Sequence, residues 1–109
     1  MKIAFASSSK GGLDDKVSDQ FGRCPTFTIV TVESGKIVNV VAVENPGYKA
    51  VSGAGIKAVQ KLIDEGVDAV VAGNFGPNAE AALYEVGIKV YVMKDLTIKE
   101  ALDRILSEK

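Results

Sequence analysis

The chain contains no histidine and a single cysteine, Cys24, among its 109 residues. Without imidazole, metal sites built on histidine and Ser-His-Asp catalysis are both excluded. One cysteine also excludes a disulfide within the chain and a zinc knuckle. Any metal centre in this protein would therefore have one protein thiolate at most.

Strong charge and long apolar segments are also missing. The 13 basic and 14 acidic residues are interspersed and give a net charge of −1, so no basic stripe is available for a phosphate backbone. No apolar run approaches membrane-spanning length, and no charged segment is followed by a long apolar one. We therefore expect no nucleic-acid partner, no membrane association and a cytoplasmic location.

The composition, with 47% hydrophobic and 25% charged residues, is typical of a globular protein. The length fits one domain over residues 1–109. Apolar runs, turn residues and helical spacing predict the order β-β-β-α-β-α-β-α. The hairpin turn is expected at Glu33-Ser34-Gly35 and a capping box at Thr97 and Glu100. The predicted strands are Lys2 to Ala6, Thr26 to Val32, Lys36 to Glu44, Val67 to Ala72 and Ile88 to Met93. The helices are predicted from about Ser52 to Gly66, from Pro77 to Gly87, and after Thr97.

This order predicts a three-layer α/β/α fold of the ribonuclease-H-like type. The five-stranded mixed sheet would have the order 3-2-1-4-5, with strand 2 antiparallel and helices on both faces. Nucleases of that type hold two metals on carboxylates, including carboxylates on the first and fourth strands. Here those strands read Ile3 to Ala6 and Val71 to Gly73 and carry none. We therefore expect no nuclease activity.

The segment from Ser18 to Pro25 concentrates unusual residues. Arg23 and Cys24 place a guanidinium that pairs with anions next to a soft metal ligand. The alternative is a turn into the second strand, in which Gly22 bends the backbone, Pro25 opens the strand and Cys24 is buried as a small apolar residue. The residue types alone leave both interpretations open.

A second group of candidates follows from the predicted sheet. Strands 1 and 4 would be neighbours whose connections leave toward opposite edges, and open α/β sheets bind ligands beyond the strand ends at such a point. Glycine-rich helix starts there favour an anion through their free N–H groups and positive dipole ends. The alternative is that these glycines only permit tight turns, with Ser52 as N-cap and Pro77 in a first helical turn. The candidates at this edge are Ser7, Ser8, Gly53, Gly55, Gly73, Asn74 and Gly76.

Together, the element order and three glycine motifs resemble the dinitrogenase iron-molybdenum cofactor biosynthesis family, of the NifX and NifB C-terminal type. The motifs are Phe21-Gly22-Arg23, the glycine-rich start of the first helix, and Gly73-Asn74-Phe75-Gly76-Pro77. The resemblance runs from Met1 to about Leu106. Ser18 to Phe21 matches the family's Ser-Glu-His-Phe, but glutamine replaces its histidine, and the family's histidines before Gly53 are absent as well.

The resemblance implies a non-catalytic protein that binds or carries iron-sulfur or iron-molybdenum cofactor precursors, with metallocluster assembly or acceptor proteins as partners. Cys24 would be the metal ligand, because thiolate suits such clusters. Arg23 would balance the cluster's charge and lower the pKa of the neighbouring thiol.

The alternative is a small-anion-binding or regulatory module that uses the helix starts without metal. No convincing acid-base pair is present, so we expect no enzyme. The cofactor-binding residues are expected to be Phe21, Gly22, Arg23 and Cys24 with the seven candidates above.

Overall fold

The computed structural model describes residues 1–108 and contains the eight elements in the predicted order. The hairpin turn is the two-residue connection Ser34-Gly35, with φ of 52° and 77°. Positive φ at both positions suits the twist of an antiparallel pair. The strands are β1 (Lys2–Ser7), β2 (Thr26–Glu33), β3 (Lys36–Glu44), β4 (Ala69–Ala72) and β5 (Lys89–Val92), and the helices are α1 (Ala54–Glu65), α2 (Pro77–Glu85) and α3 (Ile98–Ser107).

The sheet has the order β3-β2-β1-β4-β5, which confirms the predicted order. β2 is antiparallel to β1 and β3, whereas β1, β4 and β5 are parallel to one another. β1 and β4 therefore lie side by side and end at the same edge. The ribonuclease-H-like label itself stays a prediction.

The two faces of the sheet form separate cores, because side chains alternate along each strand. In β1, Ala4 and Ala6 pack toward α1 and α2, while Ile3 and Phe5 pack toward α3. All four side chains are buried. The helices thus cover both faces, which confirms the three-layer arrangement.

Two local predictions need correction. The N-cap of α1 is Gly53, with φ of 67°, and Ser52 is not the cap. A left-handed backbone is costly for serine and cheap for glycine, so the helix begins one residue later than its composition indicated. β4 begins at Ala69 and not at Val67, because the Val67 N–H still closes the end of α1 by donating to the Leu62 carbonyl oxygen at 3.3 Å.

The first-turn N–H groups of α3 form hydrogen bonds within the chain. The predicted capping box is present, with Thr97 and Glu100 each accepting the other's backbone N–H. In addition, the N–H groups of Ile98 and Lys99 donate to the carbonyl oxygens of Asp15 and Leu13 at 2.8 and 3.0 Å. The first-turn donors of α3 are therefore satisfied internally.

Candidate functional site

A cleft of about 350 Å³ lies beyond β4, where the chain enters α2. Its walls come from three segments: the loop 20–23, the first turn of α1, and the residues that open α2. We call it the helix-start cleft. The predicted site residues that it brings together are Phe21, Gly22, Arg23, Gly55, Asn74 and Gly76; it is also lined by Gln20, Ala54, Pro77, Asn78 and Ala79.

Two helix starts converge on this cleft. Neither Gly53, the N-cap of α1, nor Gly76, the N-cap of α2, supplies a side-chain cap. The two first turns are in contact, since a Cβ built on Gly55 would lie 3.2 Å from the Cβ of Ala79. Backbone N–H groups of an uncapped first turn and the positive end of the helix dipole both attract an anion. The positive N-terminal ends of α1 and α2 therefore lie side by side at this cleft.

Close backbone contacts shape the cleft. A Cβ on Gly22 would lie 3.1 Å from the Gly55 nitrogen, and a Cβ on Gly47 would overlap the carbonyl oxygens of Gly22 and Ala54. At Gly47 only glycine fits, whereas a side chain at Gly22 would require the start of α1 to move by a few tenths of an ångström. The contact of Gly47 with Gly22 is tertiary and leaves no local signal in the sequence.

Phe21 anchors the loop that forms one wall. Its ring is buried and stacks on Phe75 with centroids 5.1 Å apart, and it also packs against Phe27 at 5.5 Å. Its backbone N–H donates to the Asn74 carbonyl oxygen at 3.1 Å. Phe21 thus holds the loop 20–23 against the turn between β4 and α2, through its buried ring and its backbone hydrogen bond.

Arg23 is exposed at the rim of the cleft. Its Nη1 donates to the Ala50 carbonyl oxygen at 2.8 Å, which fixes one side of the guanidinium. No carboxylate in residues 1–108 lies within 4 Å of the guanidinium. The positive charge of Arg23 is therefore available to a ligand in the cleft.

Cys24 is buried and does not line the cleft. Its Sγ donates to the Phe21 carbonyl oxygen at 3.3 Å and lies 3.5 Å from the amide nitrogen of Asn45. Burial raises the pKa of the Cys24 thiol to about 12, against the smaller lowering effect of the Asn45 amide. The expectation that Arg23 would lower this pKa is wrong, because loss of solvation dominates and the guanidinium binds Ala50. The assignment of Cys24 as a metal ligand stays a prediction.

Four other candidates lie outside the cleft wall. The Ser7 hydroxyl is buried and pairs with the Thr28 hydroxyl at 2.7 Å. Ser8 lines a second cleft of about 630 Å³, together with Lys10, Tyr48 and Lys49 among others. Gly53 caps α1 as described, and Gly73 packs so closely on the Asp19 backbone that a Cβ would lie 2.9 Å from its Cα. Gly73 therefore shapes the site from outside its lining.

The donor groups determine what kind of ligand fits. In the part of the chain that the structure describes, no group of three or more His, Cys, Asp or Glu residues could hold a metal ion. The cleft instead offers backbone N–H groups, the side-chain amides of Gln20, Asn74 and Asn78, and the Arg23 guanidinium. These groups suit a negatively charged ligand.

The structure is thus a small α/β protein in which two helix starts without side-chain caps meet at one cleft beyond β4. Comparison with known proteins identifies the family. The family model described as dinitrogenase iron-molybdenum cofactor matches residues 1–108. The chain belongs to this family, which confirms the resemblance found in the sequence. Within residues 1–108 we find no helix with the length and hydropathy needed to cross a membrane.

Individual relatives agree with this assignment. An uncharacterized protein of Methanocaldococcus jannaschii is 32% identical over 109 residues, covering 100% of this chain and 88% of that protein. The apo form of the orange protein from Desulfovibrio gigas has a TM-score of 0.87 at 34% identity, covering 96% of this chain and 86% of that one. A Thermotoga protein described as a candidate NifB protein has a TM-score of 0.78 at 39% identity, covering 95% and 85%. The likeness to the orange protein supports the α/β fold over nearly the whole chain.

Proposed function

We propose that this protein binds an anionic iron-sulfur or iron-molybdenum cofactor precursor in the helix-start cleft and carries it between metallocluster assembly proteins, without catalysing a reaction. One observation carries the proposal: two helix starts without side-chain caps meet at a single cleft with the Arg23 guanidinium, which has no carboxylate within 4 Å in residues 1–108. Family membership supports the class of cargo.

The manner of binding follows from the donor groups. N–H groups and a guanidinium can hold an anion without displacing its ligands, and such charge-assisted hydrogen bonds contribute about 1.5–3 kcal/mol each. A cluster held in this way keeps its own coordination and leaves again without a ligand exchange. Reversible binding of this kind suits a carrier.

Cys24 is the competing means of attachment. For its sulfur to bind iron, the thiol must lose a proton despite a pKa of about 12, and the loop over it must open. Cys24→Ser separates the two modes, because a serine hydroxyl can keep the hydrogen bond to the Phe21 carbonyl oxygen. Recognition through the cleft predicts that Cys24→Ser loads like wild type, and loss of loading would transfer the role to the thiol.

The central experiment is anaerobic loading with isolated iron-molybdenum cofactor and, separately, with a reconstituted iron-sulfur cluster. Bound iron and visible absorbance are measured for wild type, Arg23→Gln and Arg104→Gln. The last is a matched control, because Arg104 is also exposed but lies on α3. We expect Arg23→Gln to weaken binding about 10-fold and Arg104→Gln to bind like wild type. Wild type that stays colourless and iron-free, or equal losses in both variants, would contradict the proposal.

A small anion without metal is the second candidate, favoured by the lack of a preformed metal-ligand group in residues 1–108. Its test is an NMR titration of the metal-free protein with inorganic phosphate. Saturable shifts of the amides of Gly55 and Asn78, in a protein that takes up no cluster, would establish this function in place of the first.

A further inference from the structure

The segment between β3 and α1 runs beside the helix-start cleft. It consists of residues 46–52, which we call the strap, and it ends at Gly53, the N-cap of α1. Near its start, the strap packs on the backbone of Gly22 and Ala54, two residues that line the cleft. Its later part has little cover, since Val51 is 98% exposed. The strap is therefore fixed at both ends and exposed between them.

One hydrogen bond joins the part of the strap beyond Gly47 to a distant segment of the described chain. The Tyr48 N–H donates to the Asn45 carbonyl oxygen at 3.0 Å and closes a local turn. The Ala50 N–H closes a second turn by donating to the Gly47 carbonyl oxygen at 3.2 Å. From elsewhere in residues 1–108, only the Nη1 of Arg23 reaches this part, donating to the Ala50 carbonyl oxygen at 2.8 Å. The position of the outer strap therefore depends on the Arg23 side chain.

Arg23 touches the strap and the helix-start cleft at the same time. Its planar guanidinium carries N–H donors on Nε, Nη1 and Nη2, and Nη1 is bonded to Ala50. Within residues 1–108, Nε and Nη2 have no hydrogen-bond partner, and Arg23 lines the cleft. An anion in the cleft can accept two hydrogen bonds from the Nε and Nη2 edge while Nη1 keeps the Ala50 carbonyl oxygen. The same side chain can therefore hold the ligand and the strap together.

We propose that the strap is ordered by cargo binding: Arg23 links an anion in the helix-start cleft to the Ala50 carbonyl oxygen, so occupancy of the cleft and immobilisation of the strap favour each other. This coupling rests on the proposed function and extends it, since the cargo named there is the anion. An exposed arginine has many rotamers, and confining it costs entropy. The contact with the strap and the contact with the anion require the same confinement, so each makes the other more favourable. Such coupling acts equally in both directions.

Trypsin cleavage after Lys49 measures how often the strap opens, because proteases cut segments that leave the folded structure. Lys49 is an exposed residue of the strap, and Lys36, at the far end of β3, is the internal reference. In the metal-free protein, Arg23→Gln should be cut after Lys49 about 10-fold faster than wild type, with unchanged cleavage after Lys36. Arg104→Gln, on α3, should behave like wild type. Equal rates in Arg23→Gln and wild type would overturn the role of Arg23 in holding the strap.

The coupling is tested by repeating the digestion anaerobically with a reconstituted iron-sulfur cluster. Loaded wild type should be cut after Lys49 about 10-fold more slowly than metal-free wild type. Arg23→Gln, at a cluster concentration that saturates it, should be cut equally fast with and without the cluster. The variant thus separates ordering through Arg23 from shielding by the cluster itself. Bound iron with protection in both proteins, or in neither, would overturn the coupling and leave the proposed function standing.

Inorganic phosphate distinguishes failure of the cargo from failure of the coupling. If the cluster does not load but phosphate binds, the same digestion is performed with phosphate. Protection after Lys49 in wild type and not in Arg23→Gln would then contradict the proposed cargo while supporting the coupling. A protein that binds neither ligand would overturn both.

A reciprocal test leaves Arg23 unchanged. Val51 does not line the cleft, so its substitution removes no contact with the ligand. Val51→Gly gives the strap more backbone freedom to lose, so it should weaken binding of the ligand that loads by about 3-fold relative to Val51→Ala. Both variants should show the circular dichroism of wild type, since the changed side chain is exposed. Equal affinities of the two variants would overturn the claim that the strap becomes ordered on binding.

Discussion

The side-chain amide of Asn45 donates to the backbone carbonyl oxygen of Cys24 at 2.8 Å. The same nitrogen lies 3.0 Å from the Gly22 carbonyl oxygen, and the Asn45 Oδ1 accepts the Gly47 N–H at 2.9 Å. Asn45 is buried and comes directly after β3. One side chain therefore joins the loop that lines the helix-start cleft to the turn that packs against the start of α1.

Asn45→Ala should lower the free energy of unfolding by about 2–4 kcal/mol, because it leaves buried backbone groups of Cys24 and Gly47, and the partly buried carbonyl oxygen of Gly22, without their partner. The measurement is urea denaturation followed by circular dichroism. Asn39→Ala, at an exposed position of β3, is the matched control and should stay within about 0.5 kcal/mol of wild type. Equal effects of the two substitutions would show that the Asn45 bonds contribute little.

Gly47→Ala should be among the most damaging single-methyl additions in the chain. The new Cβ would collide with two backbone carbonyl oxygens, those of Gly22 and Ala54, which cannot move independently. We expect a loss of about 3 kcal/mol or more. The control is Gly76→Ala, where φ is −70° and no atom lies within 4 Å of the added Cβ, so the loss should be below about 1 kcal/mol. Thermal unfolding of both variants compares them directly.

The Cys24 thiol should react very slowly in the folded protein. Burial raises its pKa to about 12, so at pH 8 the thiolate fraction is about 1,000-fold smaller than for a free cysteine. Alkylation by iodoacetamide should accordingly be at least about 100-fold slower in buffer than in urea. The measurement is mass spectrometry of timed samples. Fast alkylation of the folded protein would show that the loop over Cys24 opens readily, and would strengthen its case as a metal ligand.

Asp15 should make stability depend on pH in the acid range. Partial burial tends to raise its pKa, but hydrogen bonds from the N–H groups of Gly11, Ser9 and Lys16 together hold the pKa below its ordinary value. A lowered folded-state pKa contributes stability above the unfolded value of about 3.9, and this contribution is lost as pH falls through the folded pKa.

The test of Asp15 compares wild type with Asp15→Asn in urea at several pH values. We expect the variant to be less stable by about 1–2 kcal/mol at pH 6 and the difference to shrink below pH 4. Asp14→Asn, at the exposed neighbouring position, should change neither value by more than about 0.5 kcal/mol. A difference between wild type and Asp15→Asn that is constant from pH 6 to pH 3 would contradict this account.

Local patterns were sufficient to predict the sheet. The Ser34-Gly35 turn, the Thr97–Glu100 capping box and the apolar runs each act within a few residues, and together they predicted the strand order. The start of α1 was misplaced because the prediction rested on the capping preference of Ser52, whereas the left-handed backbone at the cap, with φ of 67°, falls on Gly53, a residue that adopts it at little cost.

The environment of Cys24 could not be predicted from the sequence. Its neighbour Arg23 suggested a lowered pKa, but the pKa depends on burial and on Asn45, which is 21 residues away. The approach of Gly47 to Gly22 and Ala54 depends in the same way on the assembled fold. Contacts of this kind decide the shape of the helix-start cleft. The sequence therefore indicated several of the residues that line the cleft, but not how they are arranged.

The three helix starts differ in a way that amide hydrogen exchange would reveal. The N–H groups of Ile98 and Lys99 are bonded to carbonyl oxygens of the loop before β2, whereas α1 and α2 begin without side-chain caps. The first turn of α3 should therefore exchange slowly in every state of the protein. The amides of Gly55 and Asn78 should exchange fast in the free protein and become protected when cargo is bound. The exchange rate at the start of α3 thus serves as an internal reference. Comparing it with the rates of the Gly55 and Asn78 amides would report whether the cleft is occupied.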